Sequence, residues 1–145
     1  MALEVELFGG ELDPETGLLR YDPGTTLRGL VRVGPDDPAA RGVRAVARWR
    51  AAGRGAADEG GGPDVVVHGA DVAAGSSLEL PFEYELPREP WSYQGEILSL
   101  HWRLEARLDV RFGRDAAADA GFILAPRPPR RGAYPGAATA KQEDR

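Results

Sequence analysis

Between Ile97 and Phe112 the chain alternates apolar and polar residues almost without a break, and that run constrains the fold more than any other feature. Leu98, Leu100, Trp102, Leu104, Ala106, Leu108, Val110 and Phe112 are apolar, while seven of the eight interleaved residues are polar or charged, Ile97 being the exception. A helix would bring His101, Trp102 and Glu105 beside Leu98 and mix both sets on one stripe. A strand sends them to opposite faces. The sixteen residues at ~3.3 Å each span roughly 50 Å, well beyond the ~17–20 Å of an ordinary strand. A bend or bulge is therefore expected to split the run and let one strand serve two sheets. Its polar face, Arg103, Glu105, Arg107, Asp109 and Arg111, alternates in sign, the pattern of a solvated or cross-paired face.

The same period of two recurs along the chain between turn residues, the mark of half-buried strands. Leu3, Val5 and Leu7 alternate with Glu4 and Glu6; Asp13-Pro14-Glu15-Thr16-Gly17 turns into Leu18–Tyr21. Asp22-Pro23-Gly24 has the chemistry of a type II turn, proline presetting φ and glycine tolerating a positive one. Leu27, Gly29, Val31 and Val33 follow on one face, then Val43, Ala45, Ala47 and Trp49 on another strand. Residues 51–63, with Gly60-Gly61-Gly62, read as a mobile Gly/Ala-rich loop. Val65–Val67 is a short strand, and Ser76–Leu86 places Leu78, Leu80, Phe82, Tyr84 and Leu86 opposite Glu79, Glu83 and Glu85. Pro81 inside that segment points to an edge or a bulge, because proline cannot donate to the ladder. Residues 113–120 read as a loop or helical turn and 121–125 as a last short strand.

These segments make seven or eight mainly antiparallel strands with no confident helix and no internal repeat, an all-β sandwich. The 145-residue chain has room for one such domain, 1–125, followed by a Pro/Arg-rich tail, 126–145, whose composition is that of a disordered segment. There is no cysteine, which excludes disulfides, thiolate metal sites and a cysteine nucleophile. Acidic residues and alternation at the N-terminus do not fit a signal peptide, no apolar run reaches the ~20 residues of a membrane span, and a cytoplasmic protein is expected. The tail holds five Lys or Arg against two acidic residues, so of the net charge of −5 the body carries −8. A body that acidic argues against nucleic-acid binding.

Pro81-Phe82-Glu83-Tyr84-Glu85-Leu86-Pro87, then Pro90-Trp91-Ser92-Tyr93-Gln94-Gly95, then Ser99–Val110, resembles the N-terminal domain of arrestin-like proteins, and most of all their bacterial, sporulation-control members. Tyr21–Val31 resembles the family's early turn and strand. The resemblance implies an immunoglobulin-like, arrestin-like β-sandwich that acts as a scaffold or adaptor for other proteins, with no catalytic residues to carry over. Glu4 and Glu6 stand where signalling arrestins carry phosphate-sensing lysines, and Pro128-Pro129 is not followed by the tyrosine of a ligase-recruiting motif.

The candidate interaction surface is a basic face of Arg44, Arg48 and Arg50, joined by Arg28 and Arg32, able to hold an acidic partner through bidentate pairing. The same arginines could instead lie across from Glu79, Glu83 and Glu85, or sit in water, contributing ~0–1 kcal/mol per pair. Trp91 and Tyr93 either anchor a ligand from a loop or pack over the end of the sandwich. His68 and His101 lack the neighbours for a metal site or a catalytic triad, and Asp13, Asp22, Asp36 and Asp37 are explained as turn formers. The glycine-rich stretch lacks the Lys-Ser/Thr ending of a phosphate loop. No cofactor or metal is expected. The leading expectation is a non-catalytic interaction module that binds a protein partner through a sheet edge or face. A carbohydrate- or small-ligand-binding sandwich using Trp91 and Tyr93 is the alternative, and exposed strand edges offer a route to a homo-oligomer.

Overall fold

The computed structural model describes residues 2–53, 56–95, 97–110 and 113–126. Among the described residues eleven strands run in the order β1 (Glu4–Phe8), β2 (Glu11–Leu12), β3 (Leu19–Tyr21), β4 (Thr26–Val33), β5 (Val43–Gly53), β6 (Ala56–Gly61), β7 (Val65–His68), β8 (Leu78–Glu85), β9 (Tyr93–Gln94), β10 (Leu98–Leu108) and β11 (Ala116–Leu124). The surplus over the seven or eight expected comes from β2 and β9, each two residues long and too short to show a period, and from β6, which lies in the stretch expected to be a loop. One sheet has the order β1-β4-β8; the other runs β2-β3-β11-β10-β5-β6, with β7 added to β5 and β9 to β10. Of these pairings only β3 with β11 is parallel.

The two sheets close on side chains that the alternation points inward. Leu27 and Val31 of β4 and Tyr84 of β8 are fully buried on the smaller sheet, facing Val43, Ala45, Ala47, Leu104, Ala106 and Leu108 of the larger. Alanine lies opposite alanine or leucine where β5 meets β10, in the pairs Ala106–Ala45 and Leu104–Ala47. The bulk they do not supply comes from Phe82, Tyr84, Trp102 and Phe122, each contributing several times the area of an alanine. The polar ends of these rings are satisfied: Tyr84 donates its hydroxyl to the Pro63 carbonyl at 2.6 Å and Trp102 donates Nε1–H to the Pro90 carbonyl at 2.7 Å.

Turn chemistry behaves as the sequence indicates. Gly24 has φ +77° and Thr25 donates its amide to the Asp22 carbonyl at 3.3 Å, while Gly17 has φ +76° and donates to Asp13 at 2.8 Å. Pro81 sits on β8, an edge of the three-stranded sheet.

Three expectations are corrected. The long run is not split between sheets: β10 pairs with β5 residue for residue from Leu98–Gly53 to Leu108–Val43, and all of it stays in the larger sheet. An equally long partner, β5, supports it along its whole length. Ile97, 70% exposed, precedes the strand, Asp109 and Val110 follow it, and Arg111 and Phe112 lie outside the described residues. The irregularity falls elsewhere, at Val43/Arg44 where β5 meets β7. Residues 51–63 are not one loop: β5 continues to Gly53 and returns as β6, because Gly60 and Gly61 let Trp49 and the Ala47 carbonyl approach closer than any side chain permits. Residues 116–120 belong to β11, whose alanines have poor strand propensity but pair along β10 from Leu108 to Leu104. The proposed tail lies outside the described residues beyond Pro126.

Candidate functional site

The outward positions of β5 and β10 build one charged surface. Inward residues of β5 are Val43, Ala45, Ala47 and Trp49, so Arg44, Val46, Arg48 and Arg50 point out; on β10 the outward set is Ser99, His101, Arg103, Glu105 and Arg107. Register then decides who meets whom. Arg107 lies opposite Arg44, Glu105 opposite Val46, Arg103 opposite Arg48 and His101 opposite Arg50.

Glu105 is the hub. Its carboxylate accepts hydrogen bonds from Arg48 Nε at 2.9 Å and Arg107 at 3.1 Å. Partial burial acts to raise its pKa, but those two guanidiniums outweigh burial and hold it below the ordinary carboxylate range. Around it lie longer pairs, Arg44–Asp64 at 3.8 Å, Arg103–Asp119 at 3.6 Å and Arg107–Asp115 at 4.0 Å. Val46 is only 7% exposed on this otherwise charged face.

Arg28 and Arg32 do not join it. They stand on β4, on the outer face of the smaller sheet, with the core of the sandwich between them and the β5 arginines. The five-arginine face read from the sequence is therefore two faces, because period two fixes the side of a strand but not the sheet to which it belongs. Arg32 is engaged by Glu6 at 2.7 Å and Glu79 at 3.2 Å, hydrogen bonds that raise its pKa further. Arg28 lies opposite Glu83 and Phe8 and, with Leu30, Pro81 and Phe82, lines a shallow apolar depression.

Trp91 and Tyr93 are 53% and 55% exposed. Tyr93 is opposite Leu100 in the β9–β10 pair, so it shares the inward side of the larger sheet where Leu98, 48% exposed, is left uncovered. Trp91 donates Nε1–H to the Arg88 carbonyl at 2.9 Å and lines an open depression with Glu89 and Pro90. Ser92 fixes this segment, its amide donating to the Leu124 carbonyl at 2.8 Å and its hydroxyl accepting from the Leu124 amide at 2.9 Å.

His101 is exposed on β10 and His68 lies on β7; among the described residues no three His, Asp or Glu side chains converge as a metal site. Asp37 does more than form a turn. It is 7% exposed and accepts the amide hydrogens of Leu3 at 3.1 Å and Gly34 at 2.8 Å, fastening the start of β1 to the β4–β5 connection. Among the described residues no helix is long and apolar enough to cross a membrane.

Two sheets around one core, with charged outer faces and a β8 edge carrying proline, make an all-β sandwich, and its fold is arrestin-like. Spo0M, a sporulation control protein from Bacillus subtilis, has a similar solved structure, with a TM-score of 0.64 at 19% identity over 88% of this chain. The chain spans about half, 51%, of that protein's solved length. No family model and no curated sequence matches. Arg103, Arg107 and Glu105 were visible in the sequence only as alternating charges on one strand; their place beside the β5 arginines depends on the β5–β10 register.

Proposed function

We propose that this chain is a non-catalytic protein-interaction module, a scaffold or adaptor that holds a partner through a sheet face or edge. The observation that carries the reading is the outer face of the larger sheet, where mutually registered strands present four charged rows to solvent. A strand face with arginines held in register suits recognition of another chain, and ordered strands lose little entropy when a partner docks. The similarity of fold to a sporulation control protein supports a regulatory role. The free sides of β6 and β8 offer edges for strand addition by a partner or a second copy. Affinity capture from the native cell with the full chain as bait tests this. A stoichiometric protein partner is expected, and repeated absence of any partner contradicts it.

A second reading rests on the exposure of Trp91 and Tyr93, which could stack on a sugar or small ligand. It predicts thermal stabilisation by that ligand and loss of the shift in Trp91→Ala. No shift with a panel of mono- and oligosaccharides removes it.

A further inference from the structure

We infer, building on the interaction-module reading, that the outer face of the larger sheet receives an extended acidic segment of a protein partner, with carboxylates at the first, third and seventh residues of a seven-residue stretch. Residues directly opposite in an antiparallel pair lie ~4.5–5.5 Å apart at Cα, and opposed like charges there are destabilising. The β5–β10 pair nevertheless sets Arg48 opposite Arg103 and Arg44 opposite Arg107, and the next row adds Arg50 beside His101. Only the Glu105–Val46 row between the two arginine pairs breaks the series.

Internal acids do not use up these donors. Glu105 engages Arg48 and Arg107, but Arg103 and Arg44 reach their nearest acids only at 3.6 and 3.8 Å, too long for hydrogen bonds. Arg50 lies opposite Glu59 of β6, and no ion pair forms between them. Each guanidinium has five N–H donors and a carboxylate takes two side by side, so the face has hydrogen-bonding capacity to spare.

The spacing selects the ligand. Rows on this face recur every two residues, ~6.8 Å along the strands, and an extended peptide repeats its own side chains at the same interval. Laid along β10, a segment with acids at its first, third and seventh positions places one carboxylate over each cationic row. Its fifth position falls on Glu105 and Val46 and is best filled by a basic or apolar residue. The remainder of the body repels such a peptide, since residues 1–125 carry −8.

Fluorescence anisotropy of the full chain with labelled Glu-Ala-Glu-Ala-Lys-Ala-Glu and its same-composition permutation Lys-Ala-Glu-Ala-Glu-Ala-Glu tests this. The first peptide is expected to bind about 10-fold more tightly than the second, and Arg50→Ala combined with Arg103→Ala to weaken it at least ~10-fold, the worth of one well-made charge pair. Arg50→Ala alone, at an exposed strand position, controls for folding by keeping its thermal midpoint while weakening the peptide. Absent binding, equal binding of the two peptides, or binding untouched by the substitutions, as attachment to the basic tail would give, overturns the inference. Partner capture by the same variants then shows separately whether the interaction-module reading survives.

Discussion

Trp49 lies with its indole against the backbone of Gly60 on the neighbouring strand, so close that a β-carbon at position 60 would meet indole Cε2 and Nε1 at 2.5 Å. That contact turns a glycine-rich stretch into a strand. Gly60→Ala is predicted to push Trp49 out of place and destabilise the domain by about 1–3 kcal/mol in urea denaturation. Gly75 is the comparison, since no atom lies within 4 Å of its would-be β-carbon and only its φ of +82° opposes alanine. Gly75→Ala is expected to cost ~1 kcal/mol.

Asp37→Ala leaves the amides of Leu3 and Gly34 without their acceptor in a buried setting. A loss of about 2 kcal/mol is expected by denaturant unfolding. Hydrogen exchange at the Leu3 amide should accelerate in the same variant, because that bond ties β1 in place.

Alkaline unfolding should report Tyr21. Its hydroxyl donates to the Phe8 carbonyl at 2.8 Å, its ring packs edge-on against Phe122 at 5.8 Å, and burial pushes its pKa from 10.0 up to about 12, with Arg28 acting weakly in the other direction. The folded state therefore holds this proton more tightly than the unfolded chain. Its contribution is intact below pH about 10 and is lost progressively as pH rises towards about 12. Tyr21→Phe is predicted to be flatter than the parent across that window in stability measured against pH.

Glu105→Gln removes the hub between Arg48 and Arg107. A destabilisation of about 1 kcal/mol is expected at neutral pH. The folded pKa of Glu105 is lowered, so its stabilisation is present above the ordinary value of 4.5 and fades as pH falls through the folded value. The difference between parent and variant should accordingly shrink in acid.

The fold class was legible because alternation over Leu98–Leu108, Leu78–Leu86 and Leu27–Val33 is a direct image of two-sided strands. Strand extents were less so. Ala116, Ala117 and Ala118 carry no strand preference of their own and are held by β10, and the glycines of β6 are chosen for what packs against them. The candidate face was half legible: Arg44, Arg48 and Arg50 do share a side, but their partition from Arg28 and Arg32, and their meeting with Arg103 and Arg107, are matters of sheet membership and register. Neither is written in a local period.

The most direct measurement is affinity capture from the native cell with three baits: the full chain, Arg50→Ala with Arg103→Ala, and Trp91→Ala with Tyr93→Ala. The account predicts a stoichiometric protein partner on the parent chain, retained by the aromatic variant and lost by the arginine variant while that variant keeps its thermal midpoint. No partner on the parent chain, or equal capture by all three baits, contradicts it.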